Sequence, residues 1–75
     1  MSQSDRAVIL VYSTSHAIRA EQVLYRAGIH AKLIPVPRHL SSNCGTCLEI
    51  ARADVEKARQ ELEKAHIEIE GIHEV

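Results

Sequence analysis

The chain has 75 residues, with nine basic and ten acidic side chains and a formal net charge of −1. A chain of this length forms one domain and buries only about 60% of the surface that its unfolded form exposes, which argues against a deep pocket for a large substrate. The balanced charge argues against nucleic-acid binding, which requires a basic surplus, so we expect a small carrier or binding module rather than a stand-alone enzyme.

The first half of the sequence predicts a strand, a helix and a second strand. "AVILVYS" (residues 7–13) is apolar on both alternating faces, which is typical of a central strand covered on two sides. Apolar residues then recur at helical spacing over residues 13–27, with hydroxyl side chains at the start and Gly28 as a stop signal. "IHAKLIPVP" (residues 29–37) favours β-structure, but its prolines cannot donate to a ladder, so an edge strand is predicted.

The second half predicts a strand, a helix and a strand. Residues 46–50 alternate, with Leu48 on one face and Cys47 on the other, as expected for the hairpin partner of the preceding strand. Residues 54–65 carry an apolar stripe between charged flanks and predict a helix whose N-cap is Asp54. "HIEIEGI" (residues 66–72) alternates again and predicts the last strand.

The resulting β-α-β-β-α-β order indicates an α+β fold of the ferredoxin-like split βαβ type, a four-stranded antiparallel sheet with two helices on one face. Right-handed crossovers predict the spatial order 4-1-3-2. Because two helices cover only one face, we expect the other face to expose one alternate set of first-strand residues and to meet a partner, such as a second copy. The two sets are Ala7, Ile9 and Val11, and Val8, Leu10 and Tyr12.

No targeting or membrane segment is evident from the sequence. The longest apolar run, residues 7–12, is far shorter than the about 20 residues that cross a bilayer, and "MSQSDR" lacks the apolar stretch of a signal peptide. We therefore expect a cytoplasmic protein without membrane contact, in a compartment that keeps thiols reduced. Residues 1–5 are expected to form a flexible N-terminus and residues 6–75 a single domain.

Both cysteines, Cys44 and Cys47, stand as Cys-Gly-Thr-Cys at the end of the loop between the second and third strands. In the predicted topology the first and second strands are parallel, so this loop and the start of the first helix lie at the same end of the sheet. The helix N-terminus, Arg38 and His39 would favour a thiolate, and Gly45 would allow close backbone approach. We therefore predict that Cys44 is the activated thiol and that Cys47 is a second, resolving thiol.

Two other functions remain open for this loop. A dithiol redox or zinc-binding module could use Cys44 and Cys47, with His16 and His39 as further ligands. A non-catalytic interaction domain would need neither cysteine. A thioredoxin-type site is disfavoured because the pair precedes a strand, and a copper-chaperone site because the pair does not precede the first helix.

Three segments resemble a small domain family described as selenium/sulfur carrier-like, namely "YSTSHAIRAEQVL", "GIHAKLIPVPRHLSSNCGTCLEI" and "IEIEGI". The resemblance covers nearly the whole chain and is most specific at Pro-Arg-x-Leu-Ser-Ser-x-Cys-Gly, which spans residues 37–45. It implies that Cys44 accepts sulfur or selenium as a persulfide or selenosulfide and passes it on, whereas Cys47 fits the pattern less closely. The other site positions that it implies are Ser13, Thr14, His16, Arg38, Ser41, Ser42 and Gly45.

The resemblance also implies partners. The donor would be a cysteine desulfurase or a selenocysteine lyase, and the acceptor a selenophosphate synthetase or another thiol carrier. No cofactor or metal is expected on the chain itself.

We predict that iodoacetamide alkylates Cys44 faster than Cys47 at neutral pH, because the positive surroundings of Cys44 raise its thiolate fraction. Peptide mass spectrometry over a series of pH values measures the two rates separately. Equal rates for the two thiols would remove the case for an activated cysteine.

Overall fold

The computed structural model describes residues 5–38, 40 and 45–74, which form a β-α-β-β-α-β chain. The elements are β1 (Arg6–Leu10), α1 (Thr14–Arg26), β2 (Ala31–Pro35), β3 (Thr46–Ala51), α2 (Val55–Lys64) and β4 (Gly71–Glu74). A 3₁₀ turn at Arg52–Asp54 leads into α2, and Asp54 occupies the predicted N-cap position without a capping hydrogen bond from its side chain. Of the predicted flexible N-terminus, residues 1–4 lie outside the described residues, and the Asp5 carbonyl accepts a hydrogen bond from the Arg52 N–H at 2.8 Å.

The four strands form one antiparallel sheet in the order β2-β3-β1-β4, which confirms the predicted topology. β2 and β4 are the edge strands. Pro35 is tolerated in β2 because the register places Val36 opposite Gly45 in a hydrogen-bonded pair, so that the nitrogen of Pro35 faces away from β3. At the far end of the sheet the first and last strands meet, with Ala7 opposite Glu74.

The main core lies between the sheet and the two helices. β1 contributes Ala7 and Ile9, and β3 contributes Leu48 and Ile50, all fully buried. Alanines dominate the helix faces, which allows the helices to lie close to the sheet. The buried helix residues are Ala17, Ala20, Leu24, Ala58 and Leu62.

A second, smaller core lies on the sheet face opposite the helices. It consists of Val8, Leu10 and Cys47, all buried, with three half-buried side chains packed against them. Those three are Ile34, Val36 and Leu40. The expectation of an exposed apolar face is therefore wrong for Val8 and Leu10, because β2 and the segment after it cover them. An exposed apolar face therefore no longer supports self-association, which stays a prediction.

The predicted last strand is misplaced, since β4 begins only at Gly71. The alternating isoleucines before it have another role: Ile67 is buried in the main core and Ile69 packs against it. This segment crosses from α2 to the sheet and joins it through the Glu70 N–H, which donates to the Leu10 carbonyl at 2.7 Å. The alternation of apolar residues here therefore reflects burial against the main core and not pairing with another strand.

Both helices end in the same way. The Ile29 N–H donates to the Leu24 carbonyl at 2.8 Å after α1, and the Ile67 N–H donates to the Leu62 carbonyl at 3.0 Å after α2. Each motif needs a left-handed residue just before the isoleucine, and these are Gly28 and His66, with φ of 82° and 59°. Among the described residues, no helix is long and apolar enough to cross a membrane.

Replacing His66 by Gly should raise the free energy of unfolding by about 0.5 to 1 kcal/mol, because glycine adopts a positive φ without steric cost. Urea denaturation measures the change. The matched control is Gln60→Gly, an exposed position inside α2, which should lower stability by about 1 kcal/mol. Equal destabilisation by both glycines would contradict this account of the helix end.

Candidate functional site

The base of the loop that contains Cys44 is closed by backbone hydrogen bonding. The Val36 N–H donates to the Gly45 carbonyl at 3.2 Å, which extends the β2–β3 ladder by one pair. Within the loop, the Leu40 N–H donates to the Pro37 carbonyl at 3.0 Å, and the Leu40 side chain packs against the second core. The described residues on either side of Cys44 are thus held at the loop base and at Leu40.

Several predicted site residues fall outside the described residues, namely His39, Ser41, Ser42 and Cys44. Their predicted roles stay predictions.

Cys47 lies in the middle of the second core and is 0% exposed. It stands opposite Leu10 on one side and Ile34 on the other, as expected for the face away from Leu48. Its thiol donates a weak hydrogen bond to the Pro35 carbonyl, with an Sγ–O distance of 3.9 Å. Cysteines buried among apolar side chains generally act as small hydrophobes and are chemically inert. A resolving role would therefore require Cys47 to become exposed first.

The start of α1 is capped by Ser13, as predicted. Its side-chain Oγ accepts a hydrogen bond from the His16 N–H at 3.2 Å and lies 2.7 Å from Nδ1 of the His16 ring. The ring of Tyr12 meets the His16 ring edge-on at a centroid distance of 6.5 Å. The His16 amide is therefore used by the cap.

The helix start and the loop base meet in an open groove of about 350 Å³. Its lining residues are Thr14, Ile18, Leu33, Ile34, Pro35, Gly45 and Thr46. The predicted proximity of the helix start to the cysteine loop is thereby confirmed for Thr14 and Gly45. Ser13 and His16 do not line this groove, and Arg38 is exposed without an ion pair to another described residue.

Gly45 is exposed at the base of the loop. A Cβ added at this position would meet no described heavy atom within 4 Å, and its φ is not in the left-handed range. Glycine is thus not required here by the backbone or by neighbours in the described part of the chain. Its effect on the chemistry would come from leaving the position beside Cys44 without a side chain.

The described residues hold no buried charged or polar side chain and no group of three or more His, Cys, Asp or Glu arranged to hold a metal ion. The zinc-binding alternative depends on Cys44 and His39, which lie outside this part of the chain.

Sequence reasoning missed the second core and the anchoring of the loop by Leu40. A signal for it was present, because Val36 and Leu40 are apolar residues in an otherwise polar stretch. Val8 and Leu10 lie on the face of β1 that the helices do not cover, so apolar residues from elsewhere in the chain were needed to bury them.

One family profile, described as "Putative Se/S carrier protein-like", matches residues 6–74. No curated protein and no solved structure matches the chain. The profile match includes both the helix start and the complete cysteine loop.

Replacing Ser13 by Ala should lower the free energy of unfolding by about 1 kcal/mol, because the His16 N–H loses its cap and the His16 ring loses its partner. Ser15→Ala is the matched control, since Ser15 is exposed within the first turn and the observed cap is Ser13. Thermal and urea unfolding of both variants test this. Equal stability of the Ser13 and Ser15 variants would argue against the cap.

Proposed function

The chain belongs to this Se/S carrier protein-like family, and we propose that it carries a sulfur or selenium atom on Cys44 between two partner proteins. The observation that supports this most directly is the burial of Cys47. The chain has two cysteines, and one of them is a core residue with no exposed surface. Exchange with a partner therefore falls to Cys44.

The proposed loading step transfers one atom between thiols. The Cys44 thiolate attacks the terminal sulfur of a persulfide on the donor, a new S–S bond forms at Cys44, and the donor S–S bond breaks. The electron pair of the broken bond leaves with the donor thiolate. Unloading is the same reaction towards an acceptor thiolate, which restores the Cys44 thiolate. Selenium follows the same course with a terminal selenium atom.

The described surface is suited to a carrier. The loop base beside Cys44 is held by the Val36–Gly45 hydrogen bond, and Leu40 is held by the second core. The groove beside Gly45 is open and shallow enough for a partner to reach the loop. A carrier needs no enclosed site of its own, because the partner enzymes supply the catalytic groups.

The chemistry limits the class of partners. A terminal sulfur or selenium arises on a donor that cleaves cysteine or selenocysteine, as a cysteine desulfurase or selenocysteine lyase does. The acceptor would be a selenophosphate synthetase or another thiol carrier. Such traffic requires reduced thiols, which favours a cytoplasmic site.

Burial of Cys47 also favours a packing role over the resolving role that the sequence suggests. In the resolving role, Cys47 would attack the inner sulfur of the Cys44 persulfide, form the Cys44–Cys47 disulfide and release hydrogen sulfide. This would require the thiol to leave the space among Val8, Leu10 and Ile34. In the packing role, an apolar residue of similar size can replace Cys47.

Incubation with a cysteine desulfurase and cysteine, or with a selenocysteine lyase and selenocysteine, tests the proposal. Intact-protein and peptide mass spectrometry should show the gain of one sulfur or one selenium atom on Cys44. Cys44→Ser should abolish loading and leave the free energy of unfolding unchanged within about 0.5 kcal/mol. Cys47→Val should load like the natural chain and lose its label at the same rate.

Different outcomes assign different functions. Loading that persists in Cys44→Ser and disappears in Cys47→Val would reverse the choice of carrier cysteine. A longer lifetime of the label in Cys47→Val would assign the resolving role to Cys47. Zinc bound by the natural chain and lost in both variants would support the metal-binding alternative. No label and no metal would leave an interaction domain.

A further inference from the structure

Three of the four large apolar side chains that the described residues expose lie along one boundary, between α1 and β2. They are Tyr25, Ile18 and Leu33, which are 81%, 44% and 37% exposed. The fourth, Tyr12, contacts His16 near the helix start. The other large apolar side chains of the described residues are buried or half-buried, so this group of exposed ones distinguishes one side of the molecule.

Two depressions follow this boundary end to end. The first is the groove of about 350 Å³ at Gly45, and the second has about 470 Å³ and reaches Tyr25 and His30. Along α1 their lining residues run from Thr14 to Arg26, and along β2 from Pro35 back to Ala31. We call this surface the α1–β2 groove. Its principal residues are Thr14, Ile18, Tyr25, Ala31, Leu33 and Gly45.

The outer wall of the α1–β2 groove is an open sheet edge. Because Val36 and Gly45 form a hydrogen-bonded pair, alternation makes Ile34 and Lys32 the next residues bonded to β3. The N–H and C=O groups of Ala31 and Leu33 therefore point away from the sheet. These groups can form hydrogen bonds with one further strand. Pro35 has no N–H and therefore limits that pairing at the end of β2 nearest the loop.

The charge around the α1–β2 groove is positive. Residues 14–38 contain four basic side chains and one acidic side chain, whereas residues 49–74 contain four basic and eight acidic ones. Arg26, Lys32 and Arg38 are exposed and make no ion pair with another described residue. The single acidic residue, Glu21, is half-buried. A negatively charged occupant is therefore favoured on this side.

We propose that the α1–β2 groove binds an extended acidic segment with large apolar side chains, supplied by the protein that exchanges sulfur or selenium with Cys44. The identity of the partner rests on the proposed function, whereas the binding chemistry rests on the groove alone. The segment adds a strand to the free edge of β2, and its apolar side chains contact Ile18, Leu33 and Tyr25 on the helix side of the sheet. Its carboxylates lie on the other face of the added strand, near Lys32. One end of the segment is then beside Gly45, the residue that follows Cys44.

A second copy of the chain is the competing occupant. The acidic half of one copy includes β4, which is also an edge strand, and it could meet the basic β2 edge of the next. Such a head-to-tail contact adds further copies, into a closed ring or an open chain, and the oligomers populate as concentration rises. A partner segment instead forms a complex of fixed stoichiometry, and this difference separates the two occupants.

Nuclear magnetic resonance titration of the ¹⁵N-labelled full chain tests the proposal. The probe is a short peptide in which glutamate alternates with valine and leucine. The matched probes replace every glutamate by lysine, or every valine and leucine by alanine. We expect the first peptide alone to bind at millimolar concentration, with the largest amide shifts at Ala31, Leu33 and Ile18, and to weaken as salt is added.

Two variants with the same net charge provide a control for the electrostatic part. Lys32→Glu should weaken binding about two- to fivefold, whereas Lys57→Glu on α2 should leave it unchanged. Ile18→Ser should weaken binding about fivefold or more, because it removes apolar contact area. The amide spectrum of each variant shows that the fold is retained.

Several results would overturn the proposal. These are no shift with the acidic peptide, equal shifts with the lysine peptide, shifts centred on α2 or β4, or equal weakening by Lys32→Glu and Lys57→Glu. Concentration-dependent oligomers of the natural chain that Lys32→Glu abolishes would assign the groove to a second copy instead. Because the peptides contain no sulfur, Cys44→Ser should bind them normally. If Cys44 fails to load, the carrier function is contradicted but the peptide-binding role of the groove is not. If the peptide fails to bind, the binding role of the groove is contradicted but the carrier function is not.

Discussion

The structure depends on one strand that must be covered on both faces. β1 presents Ala7 and Ile9 to one side of the sheet and Val8 and Leu10 to the other, and all four are buried. The helices cover the first side. The second side is covered by Ile34, Val36 and Leu40, which belong to β2 and to the segment after it. Val36 and Leu40 are therefore held against the sheet because β1 needs an apolar cover, so the folding of the core also positions these two residues of the segment that follows β2.

The parts of the fold that local chemistry determines could be predicted from the sequence. Ser13 marks the start of α1, Gly28 marks its end, and the periodicity changes give the order of the elements. The last strand could not be placed, because the alternation of Ile67 and Ile69 arises from burial against the main core and not from a ladder. An irregular segment can bury alternate residues as well as a strand can, and only tertiary contacts distinguish the irregular segment from the strand.

The candidate site could be predicted only in outline. Topology alone brings Thr14 and Gly45 together, because parallel β1 and β2 end at the same edge of the sheet. The environment of Cys47 could not be predicted, since spacing within Cys-Gly-Thr-Cys gives the same pattern for a reactive pair and for one reactive residue beside a core residue. What distinguishes them is the face on which Cys47 lies and whether that face is covered. Both cysteines are close in sequence, but Cys47 belongs to the same packing group as Val8 and Leu10.

The pairing of Ala7 with Glu74 brings the first and last strands together at the end of the sheet that is remote from Gly45. Attachments at either end of the described chain would therefore project away from the cysteine loop. The domain can be immobilised, fused to another protein or joined end to end in a circular permutant with Gly45 on the distal side. Tethered in this way, the domain would turn Gly45 towards the surroundings, which makes it suitable as a fixed bait for testing the proposed transfer partners.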